Sequence, residues 1–154
     1  VLQYPHYTAI LCQELARRFR EEEIDLVVAP AIGGILIGYE VARALQTRSI
    51  FTEREDGVMV FRRGFEVNEG ENVLVVEDVI TTGGSVKEVI EAVRQRGGRI
   101  KGVGLFIDRS RGRVKFDTRT EALLTVEIKV YPPEECPLCQ KGLPLTKPGS
   151  RKRS

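Results

Sequence analysis

Two adjacent carboxylates, Glu77 and Asp78, follow the apolar run Val73-Leu74-Val75-Val76 and precede Val79-Ile80-Thr81-Thr82-Gly83-Gly84-Ser85. Acids at the end of a buried strand need a ligand, a cation or a hydrogen-bond network. A side-by-side pair can accept hydrogen bonds from vicinal hydroxyls, such as those of a ribose. The turn Thr81 to Ser85 supplies three hydroxyls and backbone N–H groups with little side-chain obstruction. Leading into a helix, such a turn makes a cradle for phosphate. Acids and cradle together suit one ribose 5-phosphate. The stretch lacks the Gly-Lys-Thr/Ser of a Walker A loop and the G-x-G-x-x-G of dinucleotide folds. An ordinary strand–turn–helix whose acids cap the helix accounts poorly for Asp78.

These residues need a scaffold, and the hydrophobic pattern predicts one. Apolar positions from Tyr7 to Arg20 recur at helical spacing, as do those of Ile35 to Leu45 and Ser85 to Arg96. Gly97-Gly98 closes the last of these helices. Ile24 to Ala31, Ser49 to Glu53, Asn72 to Val76, Ile100 to Ile107 and Leu123 to Val130 read as strands. Val58–Phe61 and Phe65–Val67, on either side of Arg62-Arg63-Gly64, read as a hairpin or mobile arm. Strands alternating with helices predict βαβ units and a mostly parallel sheet. In such sheets ligands sit beyond the carboxyl ends of the strands, which is where the acid pair falls.

Composition sets the outer bounds. A length of 154 residues suits one domain, expected over residues 1–146 with a C-terminal extension, followed by a basic flexible tail at 147–154. With 24 Lys+Arg against 22 Asp+Glu, bulk nucleic-acid binding is not expected. No apolar run is long enough for a membrane span. Three cysteines are a poor disulfide framework, so a cytoplasmic setting is expected. Cys136-Pro137-Leu138-Cys139 has a form suited to redox chemistry or to half a zinc site. Its position after two prolines near the end of the chain favours a simple turn in a tail loop.

Val75 to Ser85 resembles the phosphoribosyl-pyrophosphate signature of the type I phosphoribosyltransferases. Further stretches resemble the orotate-using branch of that family: Ala29-Pro30-Ala31-Ile32-Gly33-Gly34-Ile35, the strand ending Ile107-Asp108-Arg109, and Tyr131 to Cys139. The resemblance implies a Rossmann-like α/β core with a mostly parallel sheet flanked by helices. It implies transfer of the phosphoribosyl group of phosphoribosyl pyrophosphate to orotate, with Mg2+ as cofactor and no dedicated protein metal ligand. Glu77 and Asp78 would bind the ribose hydroxyls and serve as catalytic residues, Thr81, Thr82, Gly83, Gly84 and Ser85 would hold the 5-phosphate, and Val79 and Ile80 would belong to the substrate-binding stretch. Ile32, Gly33 and Gly34 would present amides to pyrophosphate, and Arg109 would meet the orotate carboxylate. A mobile basic arm spanning Phe51 to Gly64 would carry Arg54 as a catalytic group, with Arg62 and Arg63 on pyrophosphate. A homodimer is implied, because that arm serves the neighbouring site.

The family pattern has a Lys where this chain has Gly33, an arm with Lys and His where this one has Glu55 and Asp56, and an N-terminal hood ahead of the helix at Tyr7. Two other readings stay open: a phosphoribosyltransferase for a purine or other base, and a non-catalytic phosphoribosyl-pyrophosphate sensor that contacts nucleic acid through Lys147 to Arg153.

Overall fold

The structure is a computed structural model that describes residues 1–128 and 131–144. The tail at 147–154 lies outside the described residues. Six strands form one sheet in the order β3-β2-β1-β4-β5-β6. They are β1 (Leu26–Pro30), β2 (Arg48–Glu55), β3 (Val58–Phe61), β4 (Asn72–Ile80), β5 (Arg99–Asp108) and β6 (Thr120–Thr125). Every neighbouring pair is parallel except β2 with β3. Helices α1 (Pro5–Arg17), α2 (Gly33–Leu45) and α3 (Gly84–Arg94) flank the sheet.

The unbroken apolar runs in β1 and β4 are explained by burial on both faces, as parallel sheets require. Leu26, Val28, Val73 and Val75 pack on one face with Val86, Val89, Ile90 and Val93 of α3. Val27, Ala29, Leu74 and Val76 pack on the other with Cys12 and Leu15 of α1 and Ile37 and Val41 of α2. Burying each such side chain contributes about 1.5–3 kcal/mol before chain entropy is subtracted. Phe19, fully buried beyond α1, covers Gly102, where an added Cβ would come 2.4 Å from the ring.

Three sequence expectations shift. The acids do not follow β4 but lie within it, because Glu77 pairs with Leu105 and Ile80 with Asp108 in β5. The hairpin does not span Phe61 and Phe65, and Phe65–Val67 is not a strand. Instead β2 turns directly into β3 through Asp56 and Gly57, both left-handed at φ 47° and 86°. An Asp-Gly pair favours that two-residue turn, because its twist matches the strands it joins. The last strand begins at Thr120 and ends at Thr125, short of the expected Val130, and residues 129–130 are outside the described set. Among the described residues no helix is long and apolar enough to cross a membrane.

Candidate active site

The connection leaving β1 crosses one face of the sheet through α2 to reach β2, and the connection leaving β4 crosses the other through α3 to reach β5. The β1/β4 boundary is therefore the switch point at which open α/β sheets leave a crevice. A cavity of about 220 Å³ occupies it, walled by Ala31, Gly33, the segment Glu77 to Ser85 and Val86. Helices α2 and α3 both begin here. Neither has a side-chain cap nor an acid in its first turn, and the positive end of each helix dipole favours an anion there.

Glu77 is almost fully buried and Asp78 half-buried. The Asp78 amide donates to Glu77 Oε1 at 3.1 Å, and the Val79 amide donates to Asp78 Oδ1 at 2.7 Å. These local bonds orient the acids and leave Asp78 Oδ2 toward α2. The approach of α2 is tight. A Cβ on Gly33 would lie 2.3 Å from Asp78 Oδ2, and one on Gly34 3.1 Å from the Ala29 Cβ. The absence of a long side chain at position 33 thus has a steric cause: the Asp78 carboxylate occupies that space. The peptide between Ala31 and Ile32 is cis.

The phosphate turn depends on a loop that sequence reasoning overlooked. Gly83 has φ 72°, and an added Cβ would meet Val114 Cγ1 at 2.7 Å and Phe116 Cζ at 3.0 Å. The loop carrying Val114 is folded around two buried polar residues, Asp108 and Ser110. Asp108 accepts from the Ser110 amide at 2.6 Å and the Gly112 amide at 3.0 Å. Ser110 Oγ accepts from the Val114 amide at 3.1 Å. The Asp-x-Ser spacing is a side-chain-to-backbone turn signal that could have pointed to it.

Of the residues singled out from sequence, Gly33 and all of Glu77 to Ser85 converge on the cavity, while Ile32, Gly34, Arg54, Arg62, Arg63 and Arg109 do not line it. Ile32 is 80% exposed. Arg109 follows β5 at the same end of the sheet, and its amide donates to Ile80 O at 2.9 Å. The arm arginines lie in exposed ion pairs within the chain. Arg54 Nη2 is 2.8 Å from Glu88 of α3, Arg62 is 3.1 Å from Glu55, and Arg63 makes two bonds to Glu53 at 2.8 and 2.9 Å. Arg63 holds the Glu53 carboxyl below its ordinary pKa by that hydrogen bonding. A second cavity of about 440 Å³ opens beside Asp78 and Val79, with apolar walls from Leu11, Phe106, Ile107, Leu123 and Leu124.

The phosphoribosyl transferase domain profile matches residues 4–131, a span that contains the switch-point cavity and every strand. This chain belongs to the phosphoribosyltransferase family. It is 60% identical over 152 residues to the orotate phosphoribosyltransferase of Pelotomaculum thermopropionicum, covering 99% of this chain and 80% of that one. It is 52% identical over 151 residues to the orotate phosphoribosyltransferase of Thermotoga petrophila, covering 98% and 81%. Among solved structures, the adenine phosphoribosyltransferase of Rhodothermus marinus aligns with a TM-score of 0.69 at 23% identity, covering 82% of this chain and 83% of that one. The Mycobacterium tuberculosis orotate phosphoribosyltransferase, in complex with inorganic phosphate, aligns with a TM-score of 0.69 at 22% identity, covering 81% and 73%. These two establish that the phosphoribosyltransferase fold is shared.

Proposed function

We propose that this phosphoribosyltransferase uses orotate, displacing pyrophosphate from phosphoribosyl pyrophosphate to form orotidine 5′-phosphate in pyrimidine synthesis. The observation that carries the reading is the convergence of the Glu77–Asp78 pair and the Thr81–Ser85 turn on one polar cavity, in a chain 60% identical to an orotate phosphoribosyltransferase.

In this reading the Glu77 and Asp78 carboxylates accept from the ribose hydroxyls, and the turn from Thr81 to Ser85 receives the 5-phosphate at the start of α3. Amides at the start of α2 face the pyrophosphate. Bond breaking at ribose C1 develops positive charge on the sugar, so fixed carboxylates below the ring stabilise the transition state more than the ground state. Asp78 and Val79 border both cavities. A ribose phosphate held in the polar one can therefore extend its base toward the apolar one. Arg109 is the candidate partner for the orotate carboxylate, since a guanidinium can bond both oxygens at once.

Mg2+ fits this donor set. The cavity offers hard carboxylate and hydroxyl oxygens from Glu77, Asp78, Thr81, Thr82 and Ser85, and neither thiol nor imidazole. Among the described residues no group of three or more His, Cys, Asp or Glu could cage a metal alone. When bound, Mg2+ would neutralise charge on the leaving pyrophosphate.

Met59 and Thr52 anchor the arm's strands in the core, so it is the side chains of its arginines that are free to move, each held by a surface ion pair worth about 0–1 kcal/mol. Arg54, Arg62 and Arg63 can be redirected to pyrophosphate at small cost, as closure of a lid requires. We further infer a homodimer. Tyr7 and Ile10 of α1 and Leu36 and Tyr39 of α2 are all more than half exposed, on helices that pack together. Exposed apolar groups of this kind mark association surfaces. All three cysteines are free thiols, which fits a reducing cytoplasm.

The test is turnover with phosphoribosyl pyrophosphate and Mg2+, supplying orotate, adenine, guanine, hypoxanthine and uracil in turn. Loss of orotate absorbance that requires every component is expected. Turnover only with a purine overturns the assignment. Tight phosphoribosyl-pyrophosphate binding without turnover points to a sensor instead.

A further inference from the structure

Among the described residues the segment after β6 contributes nothing to the cavity, yet it carries two of the three thiols. A short 3-10 turn, Pro133–Glu135, leads into the four-residue helix α4, Pro137–Gln140. Cys136 immediately precedes α4 and Cys139 lies within it. The turn is closed by backbone bonds from the Gln140 amide to Cys136 O at 3.0 Å and from the Leu143 amide to Leu138 O at 3.2 Å. The Gln140 side chain braces it by donating to Glu134 O at 3.1 Å.

Helical geometry places residues three apart about 5 Å from each other at Cα, from a 1.5 Å rise and a 2.3 Å radius. That lies inside the 4.4–6.8 Å span a disulfide accepts. The two groups already touch, since the Cys139 amide donates to Cys136 Sγ at 3.4 Å. Cys139 is exposed and Cys136 half-buried, so both are reachable from solvent. Bonding from Cys139 lowers the Cys136 pKa, and the same contact raises that of Cys139. The geometry thus makes Cys136 the thiol that ionises first and the better nucleophile, with Cys139 as its resolving partner. Cys12 contrasts with both, being fully buried in the α1–α2 core, with burial pushing its pKa up to about 12.

We propose that Cys136 and Cys139 form a dithiol redox site that reduces small-molecule disulfides and closes to an internal disulfide. The Cys136 thiolate attacks one sulfur of the incoming disulfide, and the old S–S bond breaks to release one thiolate. Cys139 then gives up its proton and attacks Cys136 Sγ, expelling the second thiolate. The released thiolates take up the two protons. The small disulfide gains two electrons to become two thiols, and the protein pair loses two to become one disulfide. A closed zinc site is the competing use of such a pair, but it takes four ligands. Among the described residues no third His, Cys, Asp or Glu joins the two thiols.

The experiment equilibrates the full chain in buffers of varied reduced-to-oxidised glutathione ratio, quenches with acid, alkylates, and maps the thiols by peptide mass spectrometry. The expected result is a peptide holding Cys136 and Cys139 that loses two hydrogens as the buffer becomes oxidising, with Cys12 alkylated only after denaturation. Cys139→Ser should accumulate a mixed disulfide on Cys136, while Cys136→Ser should react at least tenfold more slowly. Three results would overturn the proposal: both thiols alkylated at every ratio, stable glutathione adducts on both without an internal disulfide, or zinc bound by the reduced chain with both thiols blocked. Thermal unfolding of each variant against the parent checks that the fold is intact.

Discussion

Replacing Gly33 by alanine should remove most of the activity while leaving the fold intact. The new Cβ would sit 2.3 Å from Asp78 Oδ2, 2.9 Å from its Cγ and 3.3 Å from Oδ1. Ordinary contact requires the nearest oxygen to retreat by about 1 Å. The carboxylate can do so by rotating, since it ends a half-buried side chain, but rotation strains its 2.7 Å bond from the Val79 amide. Little apolar packing is disturbed, and alanine is better than glycine in a helix by up to about 1 kcal/mol. Unfolding free energy should therefore change by no more than about 1 kcal/mol. A displacement of about 1 Å at a positioning group costs about 100-fold in rate, equivalent to about 2.7 kcal/mol of transition-state stabilisation. Steady-state kinetics with orotate and phosphoribosyl pyrophosphate, run beside thermal unfolding, separates the two effects. An alanine variant with parental kcat/KM would refute the idea that the Asp78 carboxylate must hold this position. A variant that loses its stability would show that the contact is structural instead.

Other outcomes follow from the same geometry. Asp78→Asn should cut kcat by at least about 100-fold through lost charge at the transition state, whereas Arg109→Ala should mainly raise the orotate KM; parental orotate kinetics in the second variant would remove the basis for that pairing. Gly83→Ala combines a left-handed backbone with a 2.7 Å clash on Val114, so a loss of about 2–5 kcal/mol in chemical denaturation is expected. Cys12 makes stability depend on alkaline pH. Its folded pKa is raised from 9.0 to about 12, so above pH 9 the unfolded chain loses the proton that the folded chain keeps. The stabilisation is complete below pH 9 and is lost between pH 9 and 12, and Cys12→Ala should flatten that limb of the denaturation profile. Ile10→Asp should shift a dimer toward monomer in light scattering; an unchanged mass would move the interface elsewhere.

Much of the core was legible because its determinants are local. Apolar runs in β1 and β4, the stripe Val86, Val89, Ile90 and Val93, and the glycines after α3 each report on their own neighbourhood. The phosphate turn was legible for the same reason, since a strand, two acids and a Thr/Gly turn are contiguous. Boundaries were less so. Whether Glu77 ends β4 or lies within it depends on partners in β5 nearly thirty positions away. The Asp56-Gly57 turn was an available local signal, outweighed by the more conspicuous Arg62-Arg63-Gly64.

By itself the sequence determined the fold class, the acid pair and the phosphate cradle, because these rest on residue type and short spacing. Tertiary structure decided what cannot be read along the chain. It set Gly33 against Asp78 across two strands, and it braced Gly83 with Val114 and Phe116 through the Asp108–Ser110 turn. It also engaged the arm arginines with Glu53, Glu55 and Glu88, away from the cavity wall. Each of these is a contact between segments separated in sequence, where excluded volume and charge act only once the sheet has assembled.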